Sequence, residues 1–160
     1  MRQQYIKNLV ENYGYSLDQM AQELKVTNSK RGQGKARADI VVWKSKKDKD
    51  AHKAAFIVVE CKAECVRIRE EDYYQGYNYA SWAGASFFVT TNEKETKYFN
   101  VDKDYLPKNL VEVVAIPTAE EALVDKKIKE ILEKTKTFTR EDFTKMLRMC
   151  HNIIRNNDKL

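Results

Sequence analysis

Residues 56–64 read FIVVECKAE. Four apolar residues, Phe56 to Val59, run on without a polar break. They meet Glu60 and, two positions later, Lys62. An uninterrupted apolar run of this length predicts a strand buried on both faces. Side chains two apart on a strand share a face, so Glu60 and Lys62 project together from its end. Burying a carboxylate and an ammonium there is costly unless the charges are paired or used.

A second strand precedes it: ADIVVWK at 38–44, separated from AAFIVVECKAE at 54–64 by the charged turn SKKDKDAHK. The two runs predict a hairpin. In an antiparallel pair the start of one strand lies beside the end of the other, which sets Asp39 next to Glu60 and Lys62. Two carboxylates so close repel, and a divalent cation is their natural companion. Mg²⁺ takes one or two carboxylates, a backbone carbonyl and several waters, and the Cys61 carbonyl supplies that backbone oxygen. Lys62 would then orient a metal-bound water or steady charge on a phosphate. Such a site suits phosphodiester hydrolysis. An ExK alone is usually a surface ion pair, and an Asp at a strand start is just as common. The weight comes from their agreement with the strands and with the helix that follows.

Working outward, Tyr5, Ile6, Leu9, Val10 and Tyr13 predict a helix over 2–13, with Gly14 to end it. LKVTN at 24–28 predicts a short strand, and SKRGQGKAR at 29–37 a basic, glycine-containing loop. A helix is expected over about 70–82, then a strand at ASFFVTTN and its hairpin partner at TKYFNVD. Another strand, VEVVAIP, ends at Pro117. Thr118 and Glu121 form a capping-box pattern opening a helix over 118–136. A last helix carries a stripe from Phe143 to Ile154. The expected fold class is α/β, a central mixed sheet flanked by helices over 1–117. A helical extension over 118–160 would lead into a further module of a larger protein.

The 160 residues suit one domain with an extension, and 42% hydrophobic content argues for a folded chain. The net charge of +5 permits a polyanionic partner without demanding one. Cys61, Cys65 and Cys150, with only His52 and His151 beside them, suit neither a disulfide framework nor a zinc or iron–sulfur site. No stretch approaches the length of a membrane span, and the first residues lack a signal-peptide core. A cytoplasmic protein is expected.

Asp39 within ARADIVV, ECK at 60–62 and QGYNY at 75–79 resemble the PD-(D/E)XK nucleases. Gln75 and Tyr79 match the QxxxY motif of the RecB-like branch, and Ala38 stands where the family name has proline. RQQYIKNLVENYGY, KARADIVVW, FIVVECKAE and QGYNYASWAGASFFVTTN resemble successive blocks of the N-terminal nuclease domain of type I restriction enzyme R subunits and related restriction–modification proteins. That resemblance implies a restriction-endonuclease-like fold and a Mg²⁺-dependent deoxyribonuclease. Asp39, Glu60 and the Cys61 carbonyl would hold the metal and Lys62 would serve the water. Glu23 and Glu11 compete to complete the site. Gln75 and Tyr79 would support it or touch DNA. Lys30, Arg31, Lys35 and Arg37 precede Asp39 and would meet phosphates. Implied partners are double-stranded DNA and the methyltransferase, specificity or motor modules of a restriction complex. ATP would enter only through a motor domain outside this chain. The alternative is a module of the same fold that binds DNA or other subunits without cleaving.

Overall fold

The computed structural model describes residues 1–25, 37–69, 83–102 and 109–133, with positions 78, 80, 81, 144 and 147. Its centre is a six-stranded sheet: β1 (Met20–Lys25), β2 (Arg37–Val42), β3 (Ile57–Cys61), β4 (Phe87–Thr91), β5 (Thr96–Asp102) and β6 (Asn109–Val113). The spatial order follows the chain, β1-β2-β3-β4-β5-β6. Every neighbouring pair is antiparallel except β3 and β4, which run parallel. Those two are the most continuously apolar strands. Ile57, Val58 and Val59 match Phe87, Phe88 and Val89 in register, and all six are fully buried. Central strands covered on both faces need apolar side chains on both, which is why neither run alternates. Each buried phenylalanine contributes about 1.5–3 kcal/mol of burial.

The two faces carry separate cores. One gathers Tyr5, Ile6 and Leu9 of helix α1 (Arg2–Glu11) onto Ile40, Val42, Ile57, Val59, Phe87 and Val89. The chain after β6 closes the same face through Ile116, Ala122, Ile128 and Leu132. Tyr15 ties this layer together, its hydroxyl donating to the Pro117 carbonyl at 2.7 Å. The opposite face sets Ala80 and Ala85 of the β3–β4 crossover onto Val41, Val58, Phe88 and Phe99. The crossover is helical at positions 78, 80, 81 and 83.

Two glycines close helices as the sequence demands. Gly14 has φ +74°, and Tyr15 N–H returns to the Leu9 carbonyl at 3.0 Å. Gly84 has φ +67°; its N–H bonds the Ser81 carbonyl at 3.2 Å and Ala85 N–H bonds Ala80 at 2.8 Å. This pair is a Schellman cap, which sets the direction in which β4 leaves the crossover.

The structure differs from the sequence expectations in four places. The first strand is Met20–Lys25, earlier than LKVTN; it is an edge strand buried only at its start, so no alternation marks it. The charged turn contains a five-residue helix, α2 (Lys46–Asp50), opened by Ser45 accepting from Asp48 N–H at 3.1 Å. The strand expected to end at Pro117 ends at Val113. The Thr118–Glu121 capping box is present, with Thr118 N–H donating to Glu121 Oε2 at 2.9 Å and Glu121 N–H to Thr118 Oγ1 at 3.3 Å. It opens only a 3₁₀ turn at Glu121–Leu123, pinned by the buried Ala122, and the α-helix starts afterwards over 125–133. The 118–160 extension is otherwise described only at positions 144 and 147, both helical.

Candidate active site

β2 and β3 pair with Ile40 opposite Val59 and Val42 opposite Ile57. One further step along that register sets Asp39 beside Glu60. The ladder does not simply continue, because Asp39 Oδ2 accepts the Cys61 N–H at 2.8 Å. A side-chain carboxylate thus takes the place of a backbone carbonyl. The strand bends to allow it: Ala38 and Ile40, two apart, pack into opposite cores. On the other side, β1 pairs with β2 at Gln22↔Ile40 and Leu24↔Ala38 but skips Glu23 and Asp39. Glu23 there has φ +50°, a left-handed backbone uncommon for a side chain of its size. The sheet is therefore interrupted at the position where Asp39 leaves the ladder.

Glu60 precedes Cys61 on β3. It is nearly buried, and Lys62 Nζ stands 3.0 Å from its Oε1. The expectation that residues 60 and 62 share a face holds: their side chains meet in an ion pair. Lys62 is held in turn by its own backbone, whose N–H donates to the Thr91 carbonyl at 2.8 Å and extends the parallel ladder by one residue. The Cys61 thiol reports the local field. Burial pushes its pKa up to about 12; the nearby Asp39 charge and more weakly Glu60 add to that, against Arg2 and the amino terminus. Both carboxylates therefore lie within electrostatic reach of one residue.

The two glutamates considered as a third acid occupy different surroundings. Glu23 is at the edge beside Asp39, where Arg2 Nη1 bonds its Oε1 at 2.7 Å and Arg37 lies 3.6 Å from Oε2. The hydrogen bond and charge of Arg2, then the charge of Arg37, hold its carboxyl below the ordinary carboxylate value. Glu11 ends α1, 3.8 Å from Lys7, and lines a cleft of about 340 Å³ between that helix and the β4–β5 turn. Of the expected phosphate-contacting residues, Arg37 is exposed at the start of β2. Lys30, Arg31, Lys35, Gln75 and Tyr79 lie outside the described residues. Arg2 was not anticipated: helical spacing marks it as surface, and only the packing of α1 brings its charge to Glu23 and Asp39.

The oxygen groups near Cys61, the Asp39 and Glu60 carboxylates and the backbone carbonyl, are all hard donors. Among the described residues no group of three or more His, Cys, Asp and Glu side chains is arranged to hold a metal ion. A set of this kind suits a small divalent ion that keeps most of its own waters, as Mg²⁺ does, better than Zn²⁺ or Ca²⁺. Among the described residues no helix is long and apolar enough to cross a membrane.

No curated protein matches the chain, and no solved structure matches it. Residues 1–117 match the family described as the type I restriction enzyme R protein N terminus (HSDR_N), and the chain belongs to that family.

Proposed function

We propose that this chain is a Mg²⁺-dependent DNA endonuclease domain of a restriction–modification system, with the PD-(D/E)XK arrangement and a restriction-endonuclease-like fold. Membership in the R-protein family supports a restriction role. The observation that carries the catalytic reading is the convergence at Cys61: Asp39 Oδ2 on its N–H at 2.8 Å, with the buried Glu60–Lys62 pair beside it. Asp39, Glu60 and the Cys61 carbonyl would hold Mg²⁺, with Glu23 or Glu11 as the further acid. When bound, the ion supplies charge to offset the phosphate and lowers the pKa of a water. Lys62 orients that water toward phosphorus and steadies the charge that develops on the phosphoryl oxygens. Water oxygen bonds phosphorus, the bond to one sugar oxygen breaks, and the products are a phosphate monoester and a hydroxyl. Arg37, with Lys30, Arg31 and Lys35, contacts the DNA backbone, while Gln75 and Tyr79 support the site. Methyltransferase, specificity and motor modules are the partners, and ATP acts only through the motor.

The test is nicking of supercoiled plasmid by the purified chain in Mg²⁺ and in EDTA, alongside Asp39→Asn. The amide still offers an oxygen to Cys61 N–H, so the variant melts as the wild type does. Its charge is gone, and since even outer-shell groups cost about 10–100-fold, nicking falls at least about 100-fold. Equal nicking in EDTA, or an unimpaired variant, overturns the assignment. The second reading, a DNA-binding or subunit-docking module that does not cleave, draws on the 3.0 Å pairing that engages Lys62 with Glu60. Salt-sensitive DNA binding without any Mg²⁺-dependent nicking would select it.

A further inference from the structure

Thr90 of β4 is fully buried, and its hydroxyl oxygen has no hydrogen-bond partner. The next residue shows the contrast: Thr91 Oγ1 bonds Thr96 Oγ1 at 2.8 Å. A buried hydroxyl without a partner destabilises a fold by about 1–3 kcal/mol. Packing does not explain it, since valine has nearly the same shape and no such cost. The register does place it. Thr90 pairs with Glu60 across the parallel ladder and with Lys97 on its other side. Paired residues on neighbouring strands share a face, with the strands about 4.8 Å apart. Val58, Phe88 and Phe99, each two positions from Glu60, Thr90 and Lys97, pack together in the crossover-side core, so these three follow on that same face. The register therefore places Thr90 and Glu60 on one face of adjacent strands, although no hydrogen bond joins the Thr90 hydroxyl to Glu60 in the structure.

We infer that Thr90 is a positioning residue of the site: its hydroxyl donates to the Glu60 carboxylate when the Lys62 ammonium turns from Glu60 to the water and phosphate. The inference rests on the nuclease reading above. In the structure, Lys62 holds Glu60 Oε1 at 3.0 Å. Chemistry draws that ammonium elsewhere, and a nearly buried carboxylate is then stabilised by a further donor. A hydroxyl rotates freely about its C–O bond, carries one donor, and forms a strong bond to an ionised acceptor. Thr90 keeps the carboxylate aimed at the cation while Lys62 works.

The experiment compares wild type, Thr90→Val and Thr90→Ser by thermal denaturation, by calorimetric titration with Mn²⁺ alone, and by plasmid nicking in Mg²⁺. The valine variant should melt at or above the wild-type temperature, yet lose about tenfold in Mn²⁺ affinity and in kcat, with KM for DNA unchanged. The serine variant should recover most of both. If the valine variant binds Mn²⁺ and nicks like wild type, Thr90 is only a packing residue and the inference fails by itself. If wild type binds no Mn²⁺, the nuclease reading fails and takes this inference with it.

Discussion

Replacing Lys62 by alanine probes the end of β3 most directly. The ammonium stands 3.0 Å from Glu60 Oε1, and the two side chains are 19% and 12% exposed. Breaking a fully buried pair costs about 3–5 kcal/mol, whereas an exposed pair contributes about 0–1. This pair lies nearer the buried limit but retains some solvent screening, which gives about 2 kcal/mol at neutral pH. For a chain of this size each kcal/mol moves the midpoint by about 2–4 °C, so the variant should melt roughly 4–8 °C lower. Adding Glu60→Gln should recover part of the stability, because it removes the charge that Lys62 offset. On the proposed nuclease reading, both variants should also fail to nick plasmid. Circular-dichroism melts of wild type, single and double variants at neutral pH decide it. A single variant that melts within about 1 °C of wild type would show that the pair is not buried as described.

Two further outcomes concern the frame around the site. Gly84→Ala places a Cβ 3.0 Å from Ala54 Cβ on a backbone with φ +67°; the left-handed conformation alone costs about 1–2 kcal/mol, so the midpoint should fall by about 2–8 °C, and an unchanged melt would refute the Schellman cap. Cys65 is exposed, whereas the Cys61 thiol is pushed up to about 12 chiefly by burial. Alkylation at about pH 8, followed by peptide mass spectrometry, should mark Cys65 well before Cys61. Because the Cys61 proton is held more tightly when folded, its contribution to stability is present below the unfolded value of about 8.5 and fades as pH rises toward 12. Cys61→Ala should therefore flatten the alkaline limb of the stability profile, and an unchanged limb would count against the burial.

The central strands were legible because their physics is local. FIVV and FFV lack polar breaks since both faces of β3 and β4 are covered, and TKYFNVD follows its partner across a short turn. The approach of Asp39 to residues 60–62 followed from pairing two adjacent runs. What escaped depends on contacts distant in sequence. The edge strand β1 reads MAQELK and is exposed over its last four positions, so no apolar alternation separates it from a loop. α2 has a Ser45 cap followed by lysines and aspartates, which also suits a turn. Arg2 reaches Glu23 across 21 positions, and Thr90 reaches Glu60 across a crossover. The pairing of Lys62 with Glu60 was implicit in their shared face, but its near burial was not, because burial is set by what packs above the sheet.

The one parallel pairing in this sheet has a consequence for assembly. β1 to β3 form a meander from consecutive segments, and β4 to β6 form another. The seam between β3 and β4 alone requires the long crossover to close, and loop closure of that length is entropically expensive. Glu60 and Lys62 sit on one bank of the seam and Thr90 on the other. Each meander can gather locally, but the complete constellation exists only once the two have docked. Folding of this chain is thus expected to finish at the candidate site, and kinetic variants along the seam should slow its completion more than formation of either meander.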